Sequence, residues 1–341
     1  MKIGPIDLTK EILVIAEVGN NHEGSYARAE EMIGAAARAG AHAVKFQTIV
    51  PEKLISPLHK ERLAQLQKFQ LSVGEFEKLA RVAKKENILF LSTPFDIASV
   101  AFLKNIVPAF KIASGDNNFY PLLEAVCRTQ KPVLLSTGLA DGTEIGQAVR
   151  FIQKCRGKKK TQQDLALLHC VTSYPAPVEQ ANLLAIRTLQ ERFKLTTGYS
   201  DHTLGIDAAV LSVALGARVI EKHFTLDKSS KSFRDHQISA DPQDLAELVR
   251  RVKEANVLLG DGTLKTEDNE KSIMTHARRS IAAGKDLPRG TKLVLDDLIW
   301  LRPSDGLKPG EEHKILGKYM VRDMKYGEFI TAKDVSARKV Q

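Results

Sequence analysis

Two histidines, His202 and His223, stand where apolar, β-branched runs at 195–198 and 218–224 come to an end. If those runs are neighbouring parallel strands joined by a helix over 205–216, their carboxyl ends lie side by side. Neutral imidazoles placed there suit a divalent metal that keeps open positions. Taken alone, the two histidines read better as separately satisfied by hydrogen bonds at polar strand ends, and their company reverses that reading. That company is Glu17, which interrupts the apolar run 12–18, and Lys45 and Lys111, each set inside an apolar run. A lysine in a buried strand needs a partner. An ion pair with Glu17 or Glu221 would supply one. The surrounding hydroxyls of Thr93, Ser114, Ser136, Thr172 and Ser200 favour instead a site for phosphate or carboxylate. Metal, anion site and one isolated carboxylate together suit a phosphorylated or carboxylated small molecule and a metal-polarised carbonyl, as in a lyase or synthase that forms a carbon–carbon bond. A Schiff-base aldolase using Lys45 or Lys111 stays open, because a desolvated lysine beside another cation has a lowered pKa. It leaves the two histidines without a task.

These residues need a scaffold that brings distant segments to one rim. Eight apolar runs, 12–18, 43–47, 88–92, 109–113, 132–136, 165–171, 195–199 and 219–224, alternate with segments of helical periodicity such as 25–39, 74–86, 120–129, 142–154 and 204–214. Near-continuous apolar runs mark strands buried on both faces. With a last helix over 242–259 the pattern predicts a (β/α)8 TIM barrel spanning 1–260. The alternative, an open doubly wound sheet, rarely needs eight consecutive parallel strands. A barrel's active site lies at the carboxyl ends of its strands. Those ends supply Glu17 with Asn20, Asn21 and His22; Lys45 with Gln47; Thr93; and Lys111 with Ser114. The later strands add Ser136 and Thr137; Thr172, Ser173 and Tyr174; Ser200, Asp201 and His202; and Glu221 with His223. After Gly260 the chain turns polar, so 261–276 reads as a linker. Residues 277–341 read as a small, mostly β domain near the lower size limit for folding alone, which must lean on the barrel or on a partner chain.

Composition excludes several classes. With 43% hydrophobic and 27% charged residues over 341 positions, the chain is an ordinary globular protein. The net charge of +9 raises the question of nucleic acid, yet the densest basic cluster, Lys154 to Lys160, holds no aromatic and reads as a solvated loop. No nucleic-acid partner is expected, and a positive field would help attract an anionic substrate. Cys127, Cys155 and Cys170 match no zinc spacing, and neither export signal nor membrane span is evident. A reduced cytoplasmic setting is expected.

Eight ordered motifs then become identifiable: A-E-V-G-N-N-H-E-G at 16–24, V-K-F-Q-T at 44–48, L-S-T-P-F at 91–95, K-I-A-S-G at 111–115, L-S-T-G at 135–138, L-H-C-V-T-S-Y-P-A-P at 168–177, Y-S-D-H-T-L-G at 199–205 and E-K-H-F-T-L-D at 221–227. Together they resemble the sialic acid synthase family, which condenses phosphoenolpyruvate with N-acetylmannosamine or a related amino sugar. The tail resembles that family's antifreeze-protein-like SAF domain. The resemblance implies that His202 and His223 hold a divalent ion, manganese first, with magnesium or cobalt as alternatives. It places Lys45, Thr93, Lys111, Ser114, Ser136 and Ser200 on phosphoenolpyruvate and makes Glu17 the essential carboxylate. Gln47, Tyr174 and Asp235 fall on the sugar side, and Arg302 reaches the sugar from the partner subunit in a domain-swapped homodimer. It further implies attack of the phosphoenolpyruvate methylene carbon on a metal-polarised aldehyde, addition of water with Glu17 as base, and loss of phosphate by carbon–oxygen cleavage. A non-catalytic carbohydrate-binding protein is the remaining alternative, and it would have no use for Glu17, two histidines and two inward lysines together.

Three departures from the pattern bear on the sugar. Segment 50–72 is rich in Leu, Lys and Gln where typical neuraminate synthases carry a longer polar loop. S-F-R-D-H stands at 232–236, where Phe233 and Arg234 make a bulky, basic approach to Asp235. Thr172 stands where some members have Asn.

Overall fold

Eight parallel strands close on themselves in the first 260 residues of the computed structural model, which describes residues 1–229 and 235–339. They are β1 Leu13–Gly19, β2 Ala43–Thr48, β3 Leu89–Pro94, β4 Phe110–Ile112, β5 Val133–Ser136, β6 Leu165–Cys170, β7 Thr196–Asp201 and β8 Val219–His223, with β8 pairing back onto β1. Helices follow each strand, among them Tyr26–Arg38, Val73–Lys85, Tyr120–Arg128, Gly142–Arg156, Asp207–Ala214 and Pro242–Leu259. Their starts are written in the sequence. Ser72 with Glu75 and Asp141 with Glu144 form reciprocal capping boxes, and Asp241 caps the last of these helices ahead of Pro242.

The period-two alternation of the strands does the rest. One set of side chains, including Val14, Val44, Phe46, Phe90, Ile112, Leu167, Tyr199 and Ile220, faces the helices in the main apolar cluster. The other set points into the barrel and changes character with height. Leu13, Ile15, Ala43, Leu91, Ala109, Leu134, Ala166, Leu168 and Val219 form an apolar floor, closed from below by Ile3, Ile6 and Leu8 of the N-terminal hairpin. One step further along each strand the inward residue is polar, as in Glu17, Lys45, Thr93, Lys111, Ser136, Ser200 and Glu221. A dry floor beneath a polar layer is what positions the site.

Gly198 is needed where β7 meets β8. A Cβ there would stand 2.5 Å from the Val219 carbonyl oxygen and 3.2 Å from Leu168 Cγ. Gly198→Ala is expected to cost about 1–3 kcal/mol of stability, read as a lowered denaturant midpoint at unchanged slope.

Residues from Asp261 onward form a second compact unit. Here β9 Ser280–Ala283 pairs antiparallel with β10 Leu298–Leu301, and β11 Tyr319–Met320 with β12 Val335–Ser336. Ile281, Leu293, Ile315, Met320 and Ile330 fill their core. Two local expectations are corrected. The stretch read as a linker carries a helix, Asp268–Ala277, none of whose residues is buried. The basic cluster read as a loop is helical on both sides of Gly157, which ends Gly142–Arg156 at φ +82° before Lys158–Asp164 begins.

Candidate active site

The register of β7 and β8 sets Ser200 opposite Glu221 and Asp201 opposite Lys222. His202 and His223 therefore leave the barrel at the same height, with ring centroids 5.3 Å apart. They share a cavity of about 220 Å³ at the carboxyl ends of the strands with Glu17, Lys45, Gln47, Thr93, Lys111, Ser114, Ser136, Thr172, Tyr174 and Ser200. Two residues assigned by resemblance are not among those lining it. Asp235 is buried at the start of the short helix Asp235–Ile238. Arg302 is exposed just after β10 in the second unit. The basic approach through Phe233 and Arg234 lies outside the described residues.

Both lysines are paired within the cavity. Lys45 Nζ lies 2.7 Å from Glu17 Oε2, donates to Thr93 Oγ1 at 3.0 Å and sits 3.8 Å from Glu221 Oε2. Lys111 Nζ donates to Ser136 Oγ at 2.7 Å and lies 3.5 Å from Glu221 Oε1, which also accepts from Ser200 Oγ at 2.9 Å. The ion-pair and anion-site readings thus describe the same lysines, with the Glu17 and Glu221 carboxylates standing beside the two cations. Burial pushes the Glu17 carboxyl above its ordinary value despite the nearby Lys45 ammonium. For Glu221, burial is outweighed by the two lysines and the carboxyl is held low. Burial, reinforced by the neighbouring Lys45 charge, lowers the Lys111 ammonium even against Glu221. Burial acts the same way on Lys45, but Glu17 and Glu221 reverse it and keep that ammonium charged.

The histidines can be read atom by atom. His202 Nδ1 lies 2.8 Å from the Val171 carbonyl oxygen, which can only accept, so Nδ1 carries the proton and Nε2 offers its lone pair. Burial opposes charge on this ring. Cys170 Sγ, 3.7 Å from Nδ1, and the Val171 carbonyl favour charge, and the balance lies above the usual imidazole value. A metal at Nε2 would compete with that second proton. Burial holds His223 well below the imidazole range, so it is neutral, and its buried Nδ1 has no hydrogen-bond partner. Among the described residues no group of three or more His, Cys, Asp and Glu is arranged to hold an ion. Two neutral imidazoles fit a divalent ion only if substrate and water oxygens complete its shell, which is the open kind of site.

Other strand-end residues serve the walls. Asn20 Nδ2 donates to Gln47 Oε1 at 3.0 Å, and Gln47 Nε2 to Glu17 Oε1 at 3.2 Å. Asn21 Nδ2 ties the first loop to the Phe224 carbonyl at 2.9 Å, and His22 Nδ1 accepts from the Gly24 amide. Thr137 Oγ1 donates to the Leu168 carbonyl, and Ser173 Oγ to that of Pro175. Cys170, Phe95 and Leu139 line the cavity without having been singled out as site residues. Cys170 was legible as the inward residue that follows Ala166 and Leu168. Asp201 faces the helices, bound to Lys222 at 2.9 Å; strand parity would have shown it.

Among the described residues no helix is long and apolar enough to cross a membrane. The NeuB family model matches residues 32–264, and the SAF domain model residues 278–336. An N,N'-diacetyllegionaminic acid synthase from Campylobacter jejuni is 38% identical over 94% of this chain and 99% of its own length. A pseudaminic acid synthase from the same species is 35% identical over 98% of this chain and 99% of its own length. The crystal structure of an N-acetylneuraminic acid synthetase from Leptospira borgpetersenii superposes with a TM-score of 0.75 at 38% identity, covering 80% of this chain and 94% of that one. Barrel and tail thus agree with the matched models, and the chain belongs to the NeuB family, the sialic-acid-type synthases, with a SAF domain after the barrel.

Proposed function

We propose that this enzyme condenses phosphoenolpyruvate with an N-acetylated amino sugar in its open-chain form, giving a nine-carbon sialic-acid-like acid and phosphate. The observation that carries the reading is one cavity in which two lysines, flanked by Thr93 and Ser136, adjoin two histidines and Glu17. Lys45 and Lys111, with Thr93, Ser114, Ser136 and Ser200, would take the phosphate and carboxylate of phosphoenolpyruvate and neutralise charge as it develops. A divalent ion on His202 and His223, manganese for preference, would polarise the sugar's aldehyde oxygen. The methylene carbon of phosphoenolpyruvate then bonds to the aldehyde carbon as the C=O π bond breaks and its oxygen takes up a proton. Water adds to the former enol carbon and gives one proton to Glu17, which replaces the proton spent on the sugar oxygen. The carbon–oxygen bond to phosphate then breaks as the new hydroxyl becomes the keto group and its proton leaves with the phosphate. A buried carboxyl raised above its ordinary value is a better base than a free one. Gln47 and Tyr174, which line the same cavity, would contact the sugar. Arg302 would join them from the partner subunit of a domain-swapped homodimer, and a monomer by light scattering in a fully active preparation would remove that role. The acceptor panel spans singly and doubly acetylated six-carbon sugars, because the N,N'-diacetyllegionaminic acid synthase and the N-acetylneuraminic acid synthetase are each 38% identical to this chain.

Phosphate release from phosphoenolpyruvate with manganese, measured across a panel of six-carbon amino sugars, is expected to need both sugar and metal and to cease with chelator. Release without sugar, or none with any sugar, would overturn the reading. Borohydride with pyruvate is expected to trap no adduct on Lys45 or Lys111, which separates this chemistry from an aldolase.

Gly138 tests the anion side. A Cβ there would stand 2.4 Å from Thr172 Oγ1, 2.7 Å from Ser114 Oγ and 3.1 Å from the Cys170 carbonyl. Gly138→Ala must displace those hydroxyls and is expected to raise the KM for phosphoenolpyruvate about 10–100-fold, with the midpoint of unfolding little changed.

A further inference from the structure

The best-buried ion pair of the barrel lies on the other side of its wall from the cavity. Lys222 and Asp201 side chains are 1% and 0% exposed and meet at 2.9 Å between the sheet and the helices. The chemistry described above uses neither. Lys222 Nζ also donates to the Thr203 carbonyl, and Asp201 Oδ1 accepts from both the Thr203 amide and the Thr203 hydroxyl at 2.8 Å. One ammonium therefore grips the residues immediately before and after His202, while its own chain neighbour is His223. We infer that Asp201 and Lys222 are positioning residues: a charged clamp across β7 and β8 that fixes the separation and aim of the two imidazoles. This rests on the reading of those histidines as metal ligands.

The physical case has three parts. Backbone pairing in register holds Asp201 opposite Lys222, but β7 ends at Asp201, so His202 lies one residue beyond the ladder. Past the ladder the His202 carbonyl accepts from the Ala176 amide at 2.9 Å, a tie to the loop after β6, and the Lys222 ammonium on the Thr203 carbonyl is the tie toward β8. A metal bound by only two protein ligands depends on their spacing more than one bound by three or four, because no further ligand corrects an error. Last, an isolated charge at this depth would be costly. A lysine here persists because its protons are spent on the segment that carries His202.

Manganese binding to the protein without substrate tests the inference, read by electron paramagnetic resonance as both free ion and bound-ion spectrum. The double variant Asp201→Asn/Lys222→Met removes the clamp and leaves no unpaired buried charge. It is expected to keep a native near-ultraviolet spectrum while its manganese dissociation constant rises about 10–100-fold and the bound-ion spectrum changes. Phosphoenolpyruvate affinity at saturating manganese should stay within about threefold of wild type, since the layer of lysines and hydroxyls is untouched. An unaltered spectrum with manganese affinity within twofold of wild type would overturn the clamp. Should the double variant lose its fold, Asp201→Asn/Lys222→Gln, which removes both charges and leaves polar side chains in their place, carries the same test with the same two outcomes. A wild-type protein that binds no manganese, or a His202→Ala variant that binds it equally well, would overturn the metal reading itself, so the two failures are distinguishable.

Discussion

Glu17→Gln is expected to lower kcat by about 10²–10⁴-fold, the range for losing a general base, while phosphoenolpyruvate binds as well as or better than in the wild type. The substitution keeps the shape of the side chain and its acceptor toward Gln47, now at 3.2 Å, and removes only the charge and the basicity. Lys45, 2.7 Å from Glu17 in the native protein, loses its nearest carboxylate and becomes freer to hold the substrate's anion. The pH profile gives a second measurement. Because burial raises the Glu17 carboxyl, the base becomes protonated and kcat/KM falls as pH drops through a value above the ordinary carboxylate range. In the variant the residual rate should lack that acid limb. Wild-type turnover in Glu17→Gln would remove Glu17 from the chemistry, and an unchanged acid limb would assign it to another group.

Much of this arrangement was legible because two periodicities coincide in the strands. The alternation of inward and outward residues, read with β8 adjoining β1, is enough to place Glu17, Lys45, Lys111, Ser136, Ser200, Glu221 and His223 on one rim. What was missed follows from signals that compete. The helix Asp268–Ala277 buries none of its residues, so its short apolar set of Ile273, Met274 and Ala277 marks no core face, and its start is marked by the Glu270 carboxylate accepting from the Glu267 amide at 2.9 Å. Lysine is a good helix former, and in the cluster around Gly157 only the glycine breaks the helix, so charge density alone pointed wrongly to a loop. Asp201 looked like a rim residue because it neighbours His202 in the chain, whereas parity turns it toward Lys222. Asp235 and Arg302 carry no periodic signal at all. Their assignment came from resemblance, and their places depend on loop and tail geometry that local pattern does not encode.

Lys111 separates the two tasks that the sequence left open for a buried lysine, neutralising a carboxylate or holding a substrate anion. Lys111→Met leaves Glu221 with Ser200 and a more distant Lys45. It is expected to cost about 3–5 kcal/mol, as for a broken buried pair, and to weaken phosphoenolpyruvate binding at least tenfold. Those two losses alone cannot say which task matters, because an exposed negative field from Glu221 would repel the substrate in either case. Lys111→Met/Glu221→Gln removes that field. If the lysine binds the anion, the double variant should recover most of the stability, measured by denaturant midpoint, while phosphoenolpyruvate affinity by calorimetry stays low, because no donor replaces the ammonium that now reaches Ser136 at 2.7 Å. Affinity restored together with stability would mean that Lys111 serves only to balance Glu221. The anion would then be held by Lys45 and the hydroxyls alone, and a floor with one cation would have to be reconciled with a substrate that carries both a phosphate and a carboxylate.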